Sequence, residues 1–528
     1  MKSVKLQAHR GVSTDYPENT MSAFVGAICQ GYEIIELDPD VTADNQIVIL
    51  HDGTLNRTGR KAGGQQLTET LSIHDITYEE ALTYDVGLWF SNKYKGEKIP
   101  LLSQVLELAA KNDVLIKIDS KFQRFCESVM GDLFQMVKES GARVAFTCNN
   151  VEFIQLVQDN VPEAEIHYDG PVTRESLQKI SSIVDKEKLV VWLPYKSELT
   201  SWVTVPFADK ELAALVKNYA RLGIWILSEY EQLDDAVENL GADIIETTGR
   251  IKPIKRTGFK ADIHMHSEFS HDSVAPIGEM FASARDKDVD VICITDHCDL
   301  YGSDDTIHLE NSVKAAKSAN ETFGPKPEVL AGVEIGEGFW RPEMFGKVIH
   351  LAPYDEIIGS VHVVRYGEPV MAYSRIDFST YDDTQIDDFM NQYFDDVLCL
   401  VRESECDVLA HLTSPLKYIC GKYGKAVDWT RYKAKIIRIL EFIIRHGIAL
   451  EINTSTKGSR YDEFMPNEEI IKMYAEMGGY LVTMGADAHV PNNVFRHADE
   501  VVAVLKKYGF RNLFYFKNRY IYQYTIAE

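Results

Sequence analysis

Apolar and polar residues in the first half of the chain alternate between two periods. Short apolar runs appear as "VKLQAH", "EIIELD", "VLIKID", "RVAFTC", "EIHYDG", "LVVWLP", "GIWILS" and "ADIIETT". Most are separated by amphipathic stretches with helical spacing, such as "TMSAFVGAICQG" and "NVEFIQLVQDN". Eight strands alternating with helices predict a closed parallel (β/α)8 TIM barrel. An extra strand, "QIVILHD", follows the second run, and a polar excursion from about Gly53 to Pro100 is expected to cover the barrel mouth. The pattern breaks at "GRIKPIKRTG", a basic, turn-prone connector whose Lys252, Lys255 and Arg256 are expected to be solvated. The count then restarts with "FKADIHMH", "DVICITDH", "EVLAGVEIG", "IIGSVHVV", "CDVLAHL", "IALEINT" and "YLVTMGADAH". Seven strands with intervening helices, for example "WTRYKAKIIRILEFIIRHG", predict a second parallel α/β barrel. The fold class is α/β throughout, with domains at residues 1–255 and 256–528.

Length agrees with this division: 528 residues suit two large domains, each burying its own core. With 45% hydrophobic and 26% charged residues the chain is globular, and no apolar run reaches the ~18–20 residues of a membrane helix. A formal net charge of -25 repels phosphate backbones, so no nucleic-acid partner is expected. The 8 cysteines are scattered, and the opening "MKSVKLQAHRG" lacks an apolar signal core, which together predict a cytoplasmic protein with free thiols. The oligomeric state has no signature in the sequence.

Polar residues collect at the carboxyl ends of the predicted strands, where parallel barrels carry their chemistry. In the first half these are His9 and Arg10, then Glu36 and Asp38, then Lys117, Asp119 and Lys121, and His51 on the extra strand. Residues two apart on a strand share a face, so Glu36 and Asp38 point to one place. Three carboxylates suit a hard cation such as Mg²⁺ or Ca²⁺. Two histidines suit acid/base work, and Arg10 and Lys121 suit phosphate oxygens. Taken singly, each has a plainer role as a cap, an edge residue or a hydrogen-bonded histidine; their shared end of one barrel favours the site.

"AHRG", "PENT" and "ELDPDVTADNQIVILHDGTLNRT" resemble the glycerophosphodiester phosphodiesterase family over roughly the first 250 residues. The resemblance implies catalysis by His9 and His51, metal binding by Glu36, Asp38 and Asp119, and substrate contacts from Arg10 and Lys121. Asp119 stands where the family usually has glutamate, and "ETTGR" replaces the family's closing segment.

The second half concentrates histidine further: "FKADIHMHSEFSHDS" holds His264, His266, His271 and Asp272, out of 15 histidines in the chain. Later strand ends supply His297, Glu334, His362, His411, Asp487 and His489; Glu451 and Asn453 are present without a required role. His271, His308, His350 and His446 are read as ordinary structural histidines. Nine ligands exceed one ion's coordination and suffice for two or three. "DIHMHSEFSHDS", "ITDHCD" and "GADAH" resemble the polymerase-and-histidinol-phosphatase (PHP) superfamily, nearest its histidinol-phosphatase-like members. The resemblance implies one ion on His264, His266, Glu334 and Asp487, a second on Glu334, His362 and His411, and a third on Asp272, His297 and His489. Zn, Mn or Fe are the expected metals, and metal-bound hydroxide the expected nucleophile. Arg365 and Lys417 follow ligand-bearing strands as possible substrate grips, with surface roles the plainer alternative.

The chain is therefore expected to be a two-domain metal-dependent phosphoesterase acting on small phosphoesters. The first barrel would cleave glycerophosphodiesters to glycerol phosphate and alcohol, and the second a small phosphomonoester, in sequence. The alternatives are a nucleotide phosphatase or nuclease in the second half, or one barrel serving as a non-catalytic scaffold or ligand sensor.

Overall fold

The structure is a computed structural model that describes residues 4–301, 306–367 and 370–526. The chain divides into two compact units, Met1–Pro253 and Ile254–Glu528.

Eight parallel strands close the first barrel: Lys5–Ala8, Ile34–Leu37, Leu115–Ile118, Val144–Cys148, Glu165–Tyr168, Leu189–Pro194, Arg221–Leu227 and Ile244–Thr247. These are the eight expected strands in the expected order. They read as continuous apolar runs because a parallel strand in a barrel is buried on both faces. The interior is layered by the period of two. Ile34, Leu115, Ala145, Val190 and Ile244 form an apolar plug with Trp192. Two residues further along the same strands stand Glu36, Lys117, Thr147 and Glu246, all buried. The helix Met21–Gln30 shows how sequence sets the ends. Thr20 Oγ1 accepts from the Ala23 N–H at 3.2 Å, and Gly31 stops the helix in the left-handed conformation at φ 85°.

Two expectations change here. The extra strand is Ile47–Ile49, paired antiparallel with Pro39–Val41. The excursion after it folds around its own core of Val48, Leu50, Leu55, Ile73, Ala81, Val86 and Ile99. None of its residues lines the barrel cavity, which takes His51 from just before it and is walled by residues near 170 and 200. The excursion has enough apolar residues to satisfy itself, and so packs as a side lobe. The connector also differs from a solvated linker. Lys252 is buried, its Nζ donating to Asp15 Oδ2 at 2.6 Å and Gln30 Oε1 at 2.8 Å. Arg256 lies over the Phe259 ring at 5.0 Å and bonds the Tyr515 hydroxyl. Charge alone suggested solvent; an available buried carboxylate decided otherwise for Lys252.

The second unit has seven parallel strands in sequence order: Ala261–Met265, Val291–Ile294, Glu328–Gly336, Glu356–Ser360, Val408–Leu409, Ala449–Asn453 and Val482–Gly485. A short strand, His297–Asp299, adds to the third. Met265 bridges in parallel to Ala488, and the His266 N–H donates to the Ala488 carbonyl at 2.9 Å, so the barrel is nearly closed. The expected helix in the "WTRYKAK" segment runs Lys433–His446 behind a short turn. The unit ends in an antiparallel hairpin, Asn512–Lys517 with Tyr520–Thr525. Among the described residues, no helix is long and apolar enough to cross a membrane.

Candidate active sites

At the rim of the first barrel, ligand atoms of Glu36, Asp38 and Asp119 all lie within 4.8 Å of one another. Asp119 owes its place to local structure: it caps the turn Ser120–Arg124 by accepting from the Lys121 N–H at 3.1 Å. Burial, then the neighbouring carboxylates, raise Glu36 well above the usual range, and the same causes raise Asp119. Burial would raise Asp38 too, but Lys121 and Arg10 outweigh it and bring it to about 2. Lys121 Nζ donates to Asp38 Oδ1 at 2.7 Å and to the His51 carbonyl at 2.5 Å. Its ammonium is thus engaged by one carboxylate of the cluster, and Lys121 is absent from the cavity lining. Arg10, at φ +57°, gives its backbone N–H to Glu36 Oε2 at 2.8 Å and its Nη1 to Glu18 Oε1 at 3.0 Å.

His9 and His51 both line a cavity of about 690 Å³ with Glu36, Asp119, Lys117 and Glu246. Burial lowers His9 and favours its neutral form. His51 Nδ1 meets Asp52 Oδ1 at 2.6 Å, which leaves Nε2 for chemistry. Asp52 is brought to about 2 by its bonds from Arg57, despite partial burial. Arg57 in turn grips Glu18 through both terminal nitrogens, at 2.8 and 2.7 Å. Glu18, Asp52 and Arg57 were missed as functional candidates, although they stand inside "PENT" and "HDGTLNRT". Glu246 and Asp169 were missed as well. Glu246 pairs with Lys117 at 3.1 Å, and burial pushes Asp169 up to about 6. Both sit at strand ends, which is the signal that marks them.

In the second unit five imidazoles converge on one buried carboxylate. Glu334 Oε2 faces His264 Nε2 at 3.1 Å, His266 Nε2 at 3.5 Å and His297 Nδ1 at 3.2 Å. Its Oε1 faces His362 Nε2 at 3.2 Å and His411 Nε2 at 2.9 Å. Asp487, at φ +50°, reaches His266 Nε2 at 3.3 Å and His264 Nε2 at 3.9 Å. Asp272 Oδ2 faces His489 Nε2 at 2.9 Å and His297 Nε2 at 3.3 Å. Three groups are compact enough to hold an ion: His266 with Asp272, His297 and His489; His264 with His266 and Glu334; and His297 with Glu334 and His362. His297 thus spans two groups.

Burial would raise Glu334, but His297, His264 and His362 hold it well below its usual range. Asp487 is likewise held far down against burial, by His266, His264, His489 and Lys417. Burial lowers His266 to about 3. Both of its ring nitrogens are buried without a hydrogen-bond partner, at a cost met in native sites by an unseen partner atom or ion. That orphaned ring beside carboxylates fits a metal.

Each of two rings is aimed by a further carboxylate. His264 Nδ1 meets Glu451 Oε1 at 2.6 Å, and the other oxygen of Glu451 accepts the His411 N–H at 2.7 Å. His362 Nδ1 meets Asp299 Oδ1 at 3.0 Å. A Cβ on Gly485 would stand 2.1 Å from Glu451, and one on Gly336 2.3 Å from Asp299. Those glycines make room for the aiming carboxylates. Glu451 therefore has a structural role that period and motif did not disclose, and Asp299 was passed over inside "ITDHCD". His308, His350 and His446 bond backbone carbonyls, of His297, Gly346 and Phe442 respectively. His271 lies exposed beside His297, ring centroids 5.0 Å apart. Arg365 lies over the Trp340 ring at 4.1 Å.

Two parallel barrels each gather chemistry-bearing side chains on the rim, carboxylates in the first and imidazoles around a carboxylate in the second, as groups that could hold a metal ion. Comparison with known proteins is more specific. Residues 9–220 match the glycerophosphoryl diester phosphodiesterase family, and residues 262–455 match the PHP domain. A probable histidinol-phosphatase of Thermotoga maritima is 28% identical over 254 residues, covering 48% of this chain and 94% of that protein. A glycerophosphodiester phosphodiesterase of Caldanaerobacter subterraneus is 40% identical over 114 residues, which is 22% of this chain and 44% of that protein. The chain thus spans less than half the length of that relative. A solved Lactococcus lactis histidinol phosphate phosphatase, complexed with Zn, L-histidinol and phosphate, is 23% identical with a TM-score of 0.42, covering 50% of this chain and 98% of its own. Each half of the chain thus matches a phosphoesterase family, the first a diesterase family and the second the PHP domain.

Proposed function

We propose that the first barrel cleaves glycerophosphodiesters to glycerol phosphate and an alcohol, and that the second removes phosphate from a small monoester. The observation that supports this most is that each barrel carries its own compact ligand set, carboxylate in one and imidazole-rich in the other. Glu36, Asp38 and Asp119 would hold Mg²⁺ or Ca²⁺, whose preference is for oxygen. His264, His266, Asp272, His297, Glu334, His362, His411, Asp487 and His489 would hold two or three ions of Zn, Mn or Fe. Ions held at these sites supply Lewis-acid charge that polarises phosphoryl oxygens and acidifies water.

In the first barrel His9, kept neutral by burial, takes the proton from a glycerol hydroxyl as it attacks phosphorus. His51, aimed through its Nδ1 by Asp52, delivers a proton from Nε2 to the departing alcohol oxygen, and water then opens the resulting cyclic glycerol phosphate to glycerol phosphate with the two proton roles reversed. Arg10 lines the same cavity and would offer its charge to a phosphoryl oxygen. In the second barrel Glu451 and Asp299 fix the tautomers of His264 and His362, presenting each Nε2 to Glu334. No nucleophilic serine or cysteine is needed.

The products fit in sequence, because the first reaction yields a phosphomonoester and the second consumes one. The test supplies glycerophosphocholine and follows glycerol phosphate and inorganic phosphate together, with metal content measured on the same sample. Release of both in order is expected, with about two to three transition ions per chain. Accumulation of glycerol phosphate that the protein never hydrolyses would end the sequential reading. A parallel panel of histidinol phosphate and nucleotides separates a small-monoester phosphatase from a nucleotide phosphatase.

A further inference from the structure

The cavity of the first barrel has two unlike sides. One carries His9, His51 and the carboxylates; the other is apolar and continuous with them in the same cavity. The apolar side begins at Trp192, 3% exposed, and passes through Trp225. It ends at the rim on Leu199, Trp202 and Val205, which are 44%, 71% and 52% exposed. Leu212 lines the same side. The rim residues belong to the loop between the strand Leu189–Pro194 and the helix Lys210–Lys217. That loop is ordered by its own bonds. Ala208 N–H donates to the Pro194 carbonyl at 2.9 Å, Val203 N–H to Thr200 at 3.0 Å and the Trp202 indole to Leu199 at 3.0 Å. The Trp202 and Trp225 rings stand 5.9 Å apart. The loop therefore holds large apolar side chains out in water, which carries a cost unless something covers them.

Resting on the diester reading of this barrel, we propose that the wall from Trp192 to Trp202 is the subsite for the departing alcohol, and that this alcohol is apolar and extended, such as an alkyl chain. The wall grades from buried to exposed, as a chain leaving the phosphorus toward solvent requires. A compact cationic alcohol fits less well. The cation site on Trp192 is already filled by Lys117, whose Nζ sits 4.3 Å from the ring, and aliphatic Leu199, Val205 and Leu212 flank Trp202 on the outer wall. A lipid surface fits less well too, because a net charge of -25 opposes approach to anionic headgroups. The occupant is a dispersed molecule.

The test uses the full chain and synthetic glycerol phosphodiesters of methanol, butanol and octanol, all kept monomeric. Burying one methylene fully is worth about fourfold, and a half-open wall returns part of that, so kcat/KM for octyl should exceed methyl by about tenfold or more. Trp202→Ala with Leu199→Ser should remove most of that gain and leave the methyl ester within about twofold, since neither residue touches the reacting groups. Hydrolysis of all three at equal kcat/KM overturns the subsite, as does a variant that slows methyl and octyl alike. Failure to cleave any member, methyl included, overturns the diester reading itself and is distinguishable on that ground.

Discussion

The two rims use histidine in opposite ways. In the first barrel His9 and His51 stand beside the carboxylate cluster in an open cavity, and the carboxylate that aims His51 is itself partly exposed. In the second, five rings close on Glu334, and the carboxylate that aims His264 is wholly buried. An imidazole in contact with water can exchange its proton and serve acid/base chemistry. A ring locked between two buried carboxylates is committed to one tautomer and suits a ligand. The difference lies in what surrounds Nδ1 and how dry it is, not in residue type.

The sharpest way to break this comparison is to remove one histidine of the first kind. His51→Ala should cost diester hydrolysis about 10²–10⁴-fold while monoester hydrolysis stays unchanged. Loss of both activities in a folded protein would show that the two sites are not independent.

A second test reads a histidine that is neither kind. His167 is fully buried in the first barrel, its Nδ1 accepting from the Trp192 indole at 3.1 Å. Burial lowers it to about 4, against 6.5 when unfolded. The unfolded chain therefore binds the proton first, and this group withdraws stability as pH falls from about 6.5 toward 4. Asp169, raised to about 6 by burial, acts in the opposite direction below that pH. The His167 contribution is thus the difference between wild type and His167→Asn. Going from pH 7 to 5, urea denaturation should cost wild type about 2 kcal/mol more than the variant. Equal pH slopes would mean that the ring accepts a proton in place.

A smaller effect is expected at the aiming carboxylates. Glu451→Gln keeps the shape but weakens the hold on His264, and should lower metal affinity or phosphatase activity about 10–100-fold. Asp299→Asn should act on His362 in the same range. Competition with a chelator, followed by elemental analysis, measures it; unchanged retention in both would make the carboxylates mere packing.

The smallest effect concerns stability within one unit. Thr20→Ala removes the cap of the first helix and should cost about 1 kcal/mol. Thermal inactivation of diester hydrolysis should then come earlier, with the half-life of monoester hydrolysis unmoved.

Much of this was legible along the chain. Continuous short apolar runs, helical spacing between them and a restart after the connector identify two parallel barrels. Strand-end positions alone single out His9, Glu36, Asp38, His264, His266, Glu334 and Asp487, because a parallel strand delivers its last inward residue to the rim. What one strand cannot encode is its neighbour's side chain. Glu451 became an aiming residue only when its strand was laid beside the one that ends in Gly485, with His264 across the gap. Lys252 became a buried strut only because Asp15 and Gln30, more than two hundred residues earlier, met it. Lys121 faces the site by sequence, yet Asp38 and the His51 carbonyl claim its ammonium. Local pattern determines which face a residue occupies. Its partner, and with it the residue's charge and its task, is set by contacts between strands distant in sequence, where burial makes every unpaired polar atom costly.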